Sequence, residues 1–312
     1  MSYKISADST VNIVFEHFLK QPGRISSTKK KFRYKMGPFL AEHGDKPLKA
    51  IDSECLENWF VYIEERKGFS KGHLAFHRNC FVTFFNFCRQ WLDGESPADS
   101  IPRYPQKPAQ VITANSADLE KGLRVCELQM WQSIHQQRDA AIFTLGASGM
   151  RRSNIERTRY SDVVYALKNP ITVNGQLVYI IKSDGKEGME AVLDERRAAI
   201  IKRYVDNRPK TAKHNRLFIN LDTRHKSYLQ PLSKEGLLRA RKKVCKLAGI
   251  SVVSFQKMRR LVGSTVARKH GVEVAAQVLG HKSGVSVVID HYYDPDKEAA
   301  RRAALDAYSP NN

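Results

Sequence analysis

Cysteine is scarce in this 312-residue chain: five residues (Cys55, Cys80, Cys88, Cys126, Cys245), odd in number and without a Cys-x-x-Cys pair. That excludes a disulfide framework and a thiolate zinc site, and predicts reduced thiols in a cytoplasmic protein. No stretch approaches the ~18 consecutive apolar residues of a membrane span, and the first residues, MSYKISADST, lack the apolar core of a secretory signal. The familiar phosphate and hydrolase signatures are missing too. There is no Gly-x-x-x-x-Gly-Lys-Ser/Thr loop, no His-Glu-x-x-His and no Gly-x-Ser-x-Gly elbow. Acidic residues are in deficit, 32 against 52 Lys and Arg, which leaves a formal charge of +20. With 42% hydrophobic residues the chain has enough apolar side chains to fold, so the composition describes a soluble globular protein that seeks polyanions. Phosphate neutralisation makes nucleic acid the leading partner.

The length suggests two domains. Residues 93–115 hold four prolines and little helical periodicity, and read as the connection. The division expected is a helical DNA-binding domain over 1–100, a linker over 101–115 and a second domain over 116–312, whose last segment, Asp296 to Tyr308, is expected to form an oligomerisation helix that docks its small apolar residues on a neighbouring protomer. In the first part Val11, Phe15, Phe18 and Leu19 recur at helical spacing, a second helix runs from Ser27 to His43, and Leu56, Trp59, Phe60 and Ile63 form one stripe. Ser70 can cap a fourth helix, whose Leu74, Phe81, Phe85, Cys88 and Leu92 share a face. Packing between helices explains the Phe81, Phe84, Phe85 and Phe87 run better than base stacking does. Ser26 to Lys35 differs in kind: hydroxyls at Ser27 and Thr28 precede Lys29, Lys30, Lys31, Arg33 and Lys35. Such a helix start suits DNA phosphates, though a solvated charged face has the same composition.

After the connection, Leu119–Gln136 and Arg138–Leu145 read as helices. Short strands alternate at 171–173 and 177–181 around Asn174-Gly175, and 189–193 reads as a third strand. Helices resume from Arg196. The fold class expected is mainly α with a small antiparallel sheet.

Four segments of this second part carry chemistry. Thr144-Leu145-Gly146-Ala147-Ser148-Gly149-Met150-Arg151-Arg152-Ser153-Asn154-Ile155 comes first, with Ser161-Asp162-Val163 after it. Then follow Ser254-Phe255-Gln256-Lys257-Met258-Arg259-Arg260, Gln277-Val278-Leu279-Gly280-His281-Lys282-Ser283 and His291-Tyr292-Tyr293-Asp294-Pro295. In order and spacing these resemble the active-site boxes of the tyrosine recombinases, the phage integrase family, over roughly residues 110 to 295. The N-terminal helices resemble that family's core-binding domain more loosely.

The resemblance implies a C-shaped clamp around duplex DNA and metal-independent strand cleavage through a 3′-phosphotyrosine, without cofactor. Recombination would proceed through a Holliday junction in a homotetramer on paired sites, with accessory directionality proteins possible. An integrase or resolvase of a bacterial mobile element or chromosome, cytoplasmic and associated with the nucleoid, fits this description. The chemistry suits the residues. Attack on a phosphodiester adds charge to the non-bridging oxygens, which planar guanidiniums stabilise by bidentate hydrogen bonds, and Arg151 and Arg259 fill that role. Arg152 and Arg260 point about 100° away on a helix and suit backbone contacts.

Tyr292 is preferred to Tyr293 as nucleophile for its His-Tyr-x-Asp frame, although both lie further from His281 than is usual in the family, at offsets of 11 and 12. His281 would hydrogen-bond the phosphate. Lys182, at the end of a strand, matches the family's hairpin general acid, with Lys186 at the hairpin tip as the alternative. Two departures stand out: Gln256 replaces the usual histidine of the second box, and Asn154 stands where an acid is common. Glutamine donates a hydrogen bond but carries no proton. Rival readings are a non-enzymatic DNA-binding protein with a decayed site and a type IB topoisomerase-like enzyme.

Overall fold

The computed structural model describes residues 4–66, 68–104, 113–182 and 190–280. The chain divides into two compact units, Met1–Ala109 and Gln110–Asn312.

The first unit contains α1 (Val11–Lys20), α2 (Ser26–His43), α3 (Ser53–Glu65) and α4 (Lys71–Cys88). Two helices bury the stripes that their periodicity marks: Val11, Val14, Phe15, Phe18 and Leu19 on α1, and Leu56, Trp59, Phe60 and Ile63 on α3; α4 buries Leu74, Phe81, Phe85 and Cys88 as expected but ends at Cys88, so Leu92 lies beyond it. Asp52 caps α3 by accepting from the Cys55 amide at 2.8 Å, and Ser70 caps α4 by accepting from that of His73 at 3.4 Å. The core is aromatic. Phe18 meets Phe32, Phe39 meets Phe81, and Phe60 meets Phe81 edge-on at centroid separations of 4.9, 5.1 and 5.3 Å. Each such pair contributes about 0.5–1.5 kcal/mol beyond its buried area. The phenylalanines of α4 therefore serve packing. The start of the proline-rich stretch also belongs to this unit: a 3₁₀ turn at Pro97–Asp99 buries Ala98, Ile101 is buried beside it, and the Ile101 carbonyl accepts from Arg78 Nε at 2.8 Å.

The second unit begins with α5 (Ser116–Gln129) and α6 (Ile134–Ala147). The sequence suggests that the first of these continues to Gln136, but it stops at Gln129, and Ser133 opens a new helix at Ile134. The physical difference lies in burial. From Gln137 to Ala147 every residue of α6 is buried, whereas α5 buries one face. A helix apolar all round belongs at a centre, and α5, α9 (Glu195–Asn207), α10 (Lys234–Leu247) and α11 (Phe255–His270) all pack on α6. Its charged pair is internally satisfied, with Arg138 donating to Asp139 at 2.8 Å and to the Ile219 carbonyl at 3.2 Å.

Between α6 and α9 lie α7 (Arg152–Arg157), α8 (Tyr160–Lys168) and an antiparallel sheet, β1 (Ile171–Val173), β2 (Gln176–Lys182) and β3 (Glu190–Leu193), in the order β1-β2-β3. Val173 pairs with Gln176 across the Asn174-Gly175 turn, both of whose residues have positive φ, and Lys182 pairs with Glu190. The short helix α12 (Val272–Val278) follows α11 and buries Ala275 and Ala276. The fold is thus mainly helical with one small antiparallel sheet.

Gly146 on α6 faces Phe255 and Met258 of α11 at close range. A Cβ there would lie 2.5 Å from Cδ1 of Phe255. Gly146→Ala is expected to destabilise the second unit by about 1–3 kcal/mol, the usual scale of overpacking. Urea unfolding measures it, and an unchanged midpoint would show that the α6–α11 contact relaxes freely.

Candidate active site

The end of α6 delivers the first arginine. The Met150 amide donates to the Leu145 carbonyl at 3.2 Å and the Gly149 amide to that of Gly146 at 3.0 Å, the paired bonds of a Schellman turn, with Gly149 at φ +89° in the left-handed position. Met150 is fully buried and anchors the turn. Arg151 follows in extended conformation as the N-cap residue just before α7 and is half-buried. The Gly-Ala-Ser-Gly-Met run therefore acts as a helix stop that places one guanidinium.

The second segment is fixed from the other side. Ser254 caps α11 by accepting from the Lys257 amide at 3.1 Å, which sets Gln256, exposed, in the first turn at the positive end of the helix dipole. Phe255 packs between Gly146 and Arg241 of α10, whose guanidinium lies 5.2 Å from the ring centroid. Burial lowers the pKa of Arg241 from its usual value. The Lys257 carbonyl accepts from the Ala114 amide at 3.2 Å, so the start of this unit is also tied to the α11 turn.

Arg259 joins the segments. Its side chain is fully buried; Nη1 donates to the Gly149 carbonyl at 3.0 Å, and Nη2 donates to the Leu279 carbonyl. One guanidinium thereby holds together the turn that carries Arg151, the helix that carries Gln256, and the Leu279-Gly280 end of the third segment. Asn154 is buried in α7, and its backbone carbonyl accepts from the Thr158 hydroxyl at 2.9 Å. Arg152 and Arg260, beside the two arginines, each bury their Nε without a hydrogen-bond partner among the described residues. Lys182 is exposed at the end of β2. Lys186, His281, Tyr292 and Tyr293 lie outside the described residues, as does the segment from Asp296 to Tyr308.

The basic stretch of the first unit is less uniform than its sequence. Ser27, Thr28, Lys29, Lys30 and Lys31 occupy the first two turns of α2, with Ser27 and Lys30 exposed. Lys31 Nζ sits 4.1 Å from the ring centroid of Phe76. Arg33 is held by Glu16 at 2.8 and 3.0 Å on the surface. Lys35 is buried. Among the described residues no group of three His, Cys, Asp or Glu side chains could hold a metal ion, and no helix is long and apolar enough to cross a membrane.

The family model for the phage integrase family matches residues 118–299, more than half of the chain, and all four segments fall inside that range. The chain belongs to the phage integrase family. It is a tyrosine recombinase, a site-specific DNA recombinase. Solved structures share the fold at low identity. The Tn1549 transposon integrase in complex with transposon right end DNA is 16% identical over 96% of this chain and 100% of that one, with a TM-score of 0.66. The XerH site-specific recombinase bound to palindromic difH substrate is 17% identical over 88% and 75%, at 0.62. A lambda integrase tetramer bound to a Holliday junction is 15% identical over 91% and 78%, at 0.58. The chain matches none of the curated proteins in sequence.

Sequence reasoning missed the roles of Phe255 and Arg241. The signal for the first was Gly146, a glycine inside a helix near its apolar end. Nothing in the linear sequence marks Arg241 among so many cations.

Proposed function

We propose that Arg151, Gln256, Arg259 and His281 bind the scissile phosphate, that Tyr292 attacks it and that Lys182 protonates the leaving oxygen. The observation that carries this reading is the double hydrogen bond of buried Arg259 to the Gly149 and Leu279 carbonyls, because it draws three separate motif segments to one point. In the reaction the tyrosine oxygen forms a bond to phosphorus while the bond from phosphorus to the 5′-oxygen breaks. The phenolic proton passes to a phosphate oxygen and from there to solvent, the leaving oxygen gains one from Lys182, and the 3′-phosphotyrosine keeps the bond energy. Attack by the 5′-hydroxyl of a partner strand reverses the step and exchanges strands. Arg151 and Arg259 stabilise the charge that develops on the phosphorane. Gln256 donates a hydrogen bond without moving a proton.

Arg152, Arg260 and the α2 cations Lys29, Lys30 and Lys31 supply contacts to the DNA backbone in the same reading. Integration or resolution on a mobile element or chromosome, in a tetramer on paired sites and through a Holliday junction, is the accompanying assembly. Nicked duplex that traps the covalent intermediate tests the whole proposal: a detergent-resistant protein–DNA adduct supports it, and tight binding with no adduct favours a decayed site.

The general acid has its own test. Lys182→Ala is expected to slow cleavage of ordinary DNA, and a 5′-phosphorothiolate substrate, whose leaving thiolate needs no proton, is expected to restore the rate. Rescue shown by Lys186→Ala and not by Lys182→Ala would move the role to the hairpin tip.

A further inference from the structure

In the second unit the start of α6, one face of α10 and the loop at residues 220–224 line an open cleft of about 560 Å³ that the proposed cleavage chemistry does not use. From α10 come Gly236, Arg239, Ala240 and Lys243, whose spacing sets them on a single stripe. The loop brings Asp222 and Arg224, and α6 brings His135 and Arg138. At its base the loop is closed by two backbone bonds: the Leu229 amide donates to the Asn220 carbonyl at 2.8 Å, and the Asn220 amide to that of Gln230 at 2.9 Å. Leu229 takes φ +61°, a left-handed conformation that a bulky residue keeps only when its surroundings impose it. Arg224 therefore starts from a fixed position.

The charges do not cancel. Buried Asp139 is bonded to Arg138 at 2.8 Å and has Lys243 Nζ at 3.6 Å. Asp222 accepts from Arg224 Nε at 3.5 Å, which leaves both terminal nitrogens of that guanidinium without a partner among the described residues. Arg239 is exposed and makes no hydrogen bond or ion pair among the described residues. Four cations thus meet two carboxylates. His135 lies in the first turn of α6, at the positive end of the helix dipole, and Ser133 donates its hydroxyl to Gln136 at 2.8 Å and caps no backbone amide.

A surplus of guanidinium and ammonium groups suits an anion with several oxygens, and phosphate matches the arginine fork. Asn220 and Thr223, also in the wall, carry amide and hydroxyl donors of the kind that serve sugar–phosphate. Among the described residues no Phe, Tyr or Trp lines the cleft, so it offers no ring on which a base could stack. The chemistry therefore selects the phosphate of a backbone over a nucleoside. From Arg138 to Ala147, just before the turn that carries Arg151, α6 rises about 14 Å. That is several times the ~3.4 Å rise per phosphate along one strand. A phosphate held in the cleft is thus not the one that is cut.

We propose that this cleft grips a backbone phosphate of the DNA away from the cleavage point, on Arg239, Arg224 and Lys243. The proposal rests on the DNA recombinase activity of the family and not on the assignment of nucleophile or general acid, so binding, and not cleavage, tests it.

The test measures polarisation of a labelled duplex of arbitrary sequence with the full-length protein, over about 50 to 200 mM salt. Arg239→Gln is expected to weaken binding about three- to tenfold and to lower the slope of log affinity against log salt by about one, and the double variant with Lys243→Gln to lower it by about two. Arg239→Lys keeps the charge and should keep the slope. Lys246→Gln, on the last turn of α10 and outside the cleft, should leave the slope as it is. A native slope in Arg239→Gln would overturn the proposal. An equal loss from Lys246→Gln would overturn it too, because the effect would then be one of overall charge. Calorimetry with inorganic pyrophosphate and ATP covers the other source of phosphate: saturation at micromolar concentration that Arg239→Gln abolishes, with the DNA slope unchanged, would assign the cleft to a free polyphosphate instead.

Discussion

Arg259→Ala is expected to lower the rate of covalent adduct formation by about 10²–10³-fold, the scale of removing one preorganised donor to a developing oxyanion. It is also expected to cost stability, because the guanidinium is fully buried and supplies hydrogen bonds to Gly149 and Leu279. Each carbonyl left unpaired costs about 1–3 kcal/mol. Arg259→Lys separates the two effects. It keeps the charge, but a single ammonium cannot reproduce the planar fork that spans both carbonyls and, in the proposed role, offers paired donors to phosphate. Folding close to native with most of the rate lost is therefore expected of the lysine variant. Arg151→Ala is the control. Arg151 is half-buried at the start of α7, so its loss should reduce the rate by a similar factor with a smaller shift in urea midpoint. Adduct kinetics on nicked duplex and urea unfolding measure both quantities. A folded Arg259→Ala protein that forms adduct at near the native rate would remove Arg259 from the site.

The parts of the fold that periodicity can report were legible beforehand. Apolar stripes located α1, α3 and α4, because each of these helices buries one face and leaves the other in water. The hairpin around Asn174-Gly175 was legible for a local reason, since both residues take the positive φ that few others accept. The α5–α6 boundary was not. A helix buried on every side has no polar face to keep a period, and charged Arg138 and Asp139, paired inside the core, read as surface residues. Within the site, Arg151 and Arg259 could be named from their motifs, but their joining could not, because Gly149 and Arg259 are distant in sequence and meet through α6–α11 packing. The basic run of α2 misled in another way. Composition treats its cations alike, whereas the helix turns Lys35 inward to His77, sets Arg33 on Glu16 and leaves Lys30 in water.

Tyr292→Phe is expected to bind target DNA with native affinity and to form no covalent adduct. The substitution removes one hydroxyl and keeps the ring, so phosphate contacts, and with them the salt dependence of binding, have no reason to change. Chemistry has no alternative route in this reading, because the phenolic oxygen is the atom that becomes bonded to phosphorus. Tyr293 is its immediate neighbour, and adjacent residues cannot present their side chains in the same direction: the separation is about 100° on a helix and about 180° on a strand. The arginine pair and a single phosphate therefore select one of the two tyrosines, and Tyr293→Phe is expected to form adduct at near the native rate. Adduct assays on nicked duplex, with gel-shift affinities measured in parallel, decide the assignment. Adduct from Tyr292→Phe together with none from Tyr293→Phe would transfer the nucleophile by one residue and leave the arginine site standing. Normal adduct from both variants would mean that neither tyrosine attacks, and with it the phosphotyrosine role of this segment would fall.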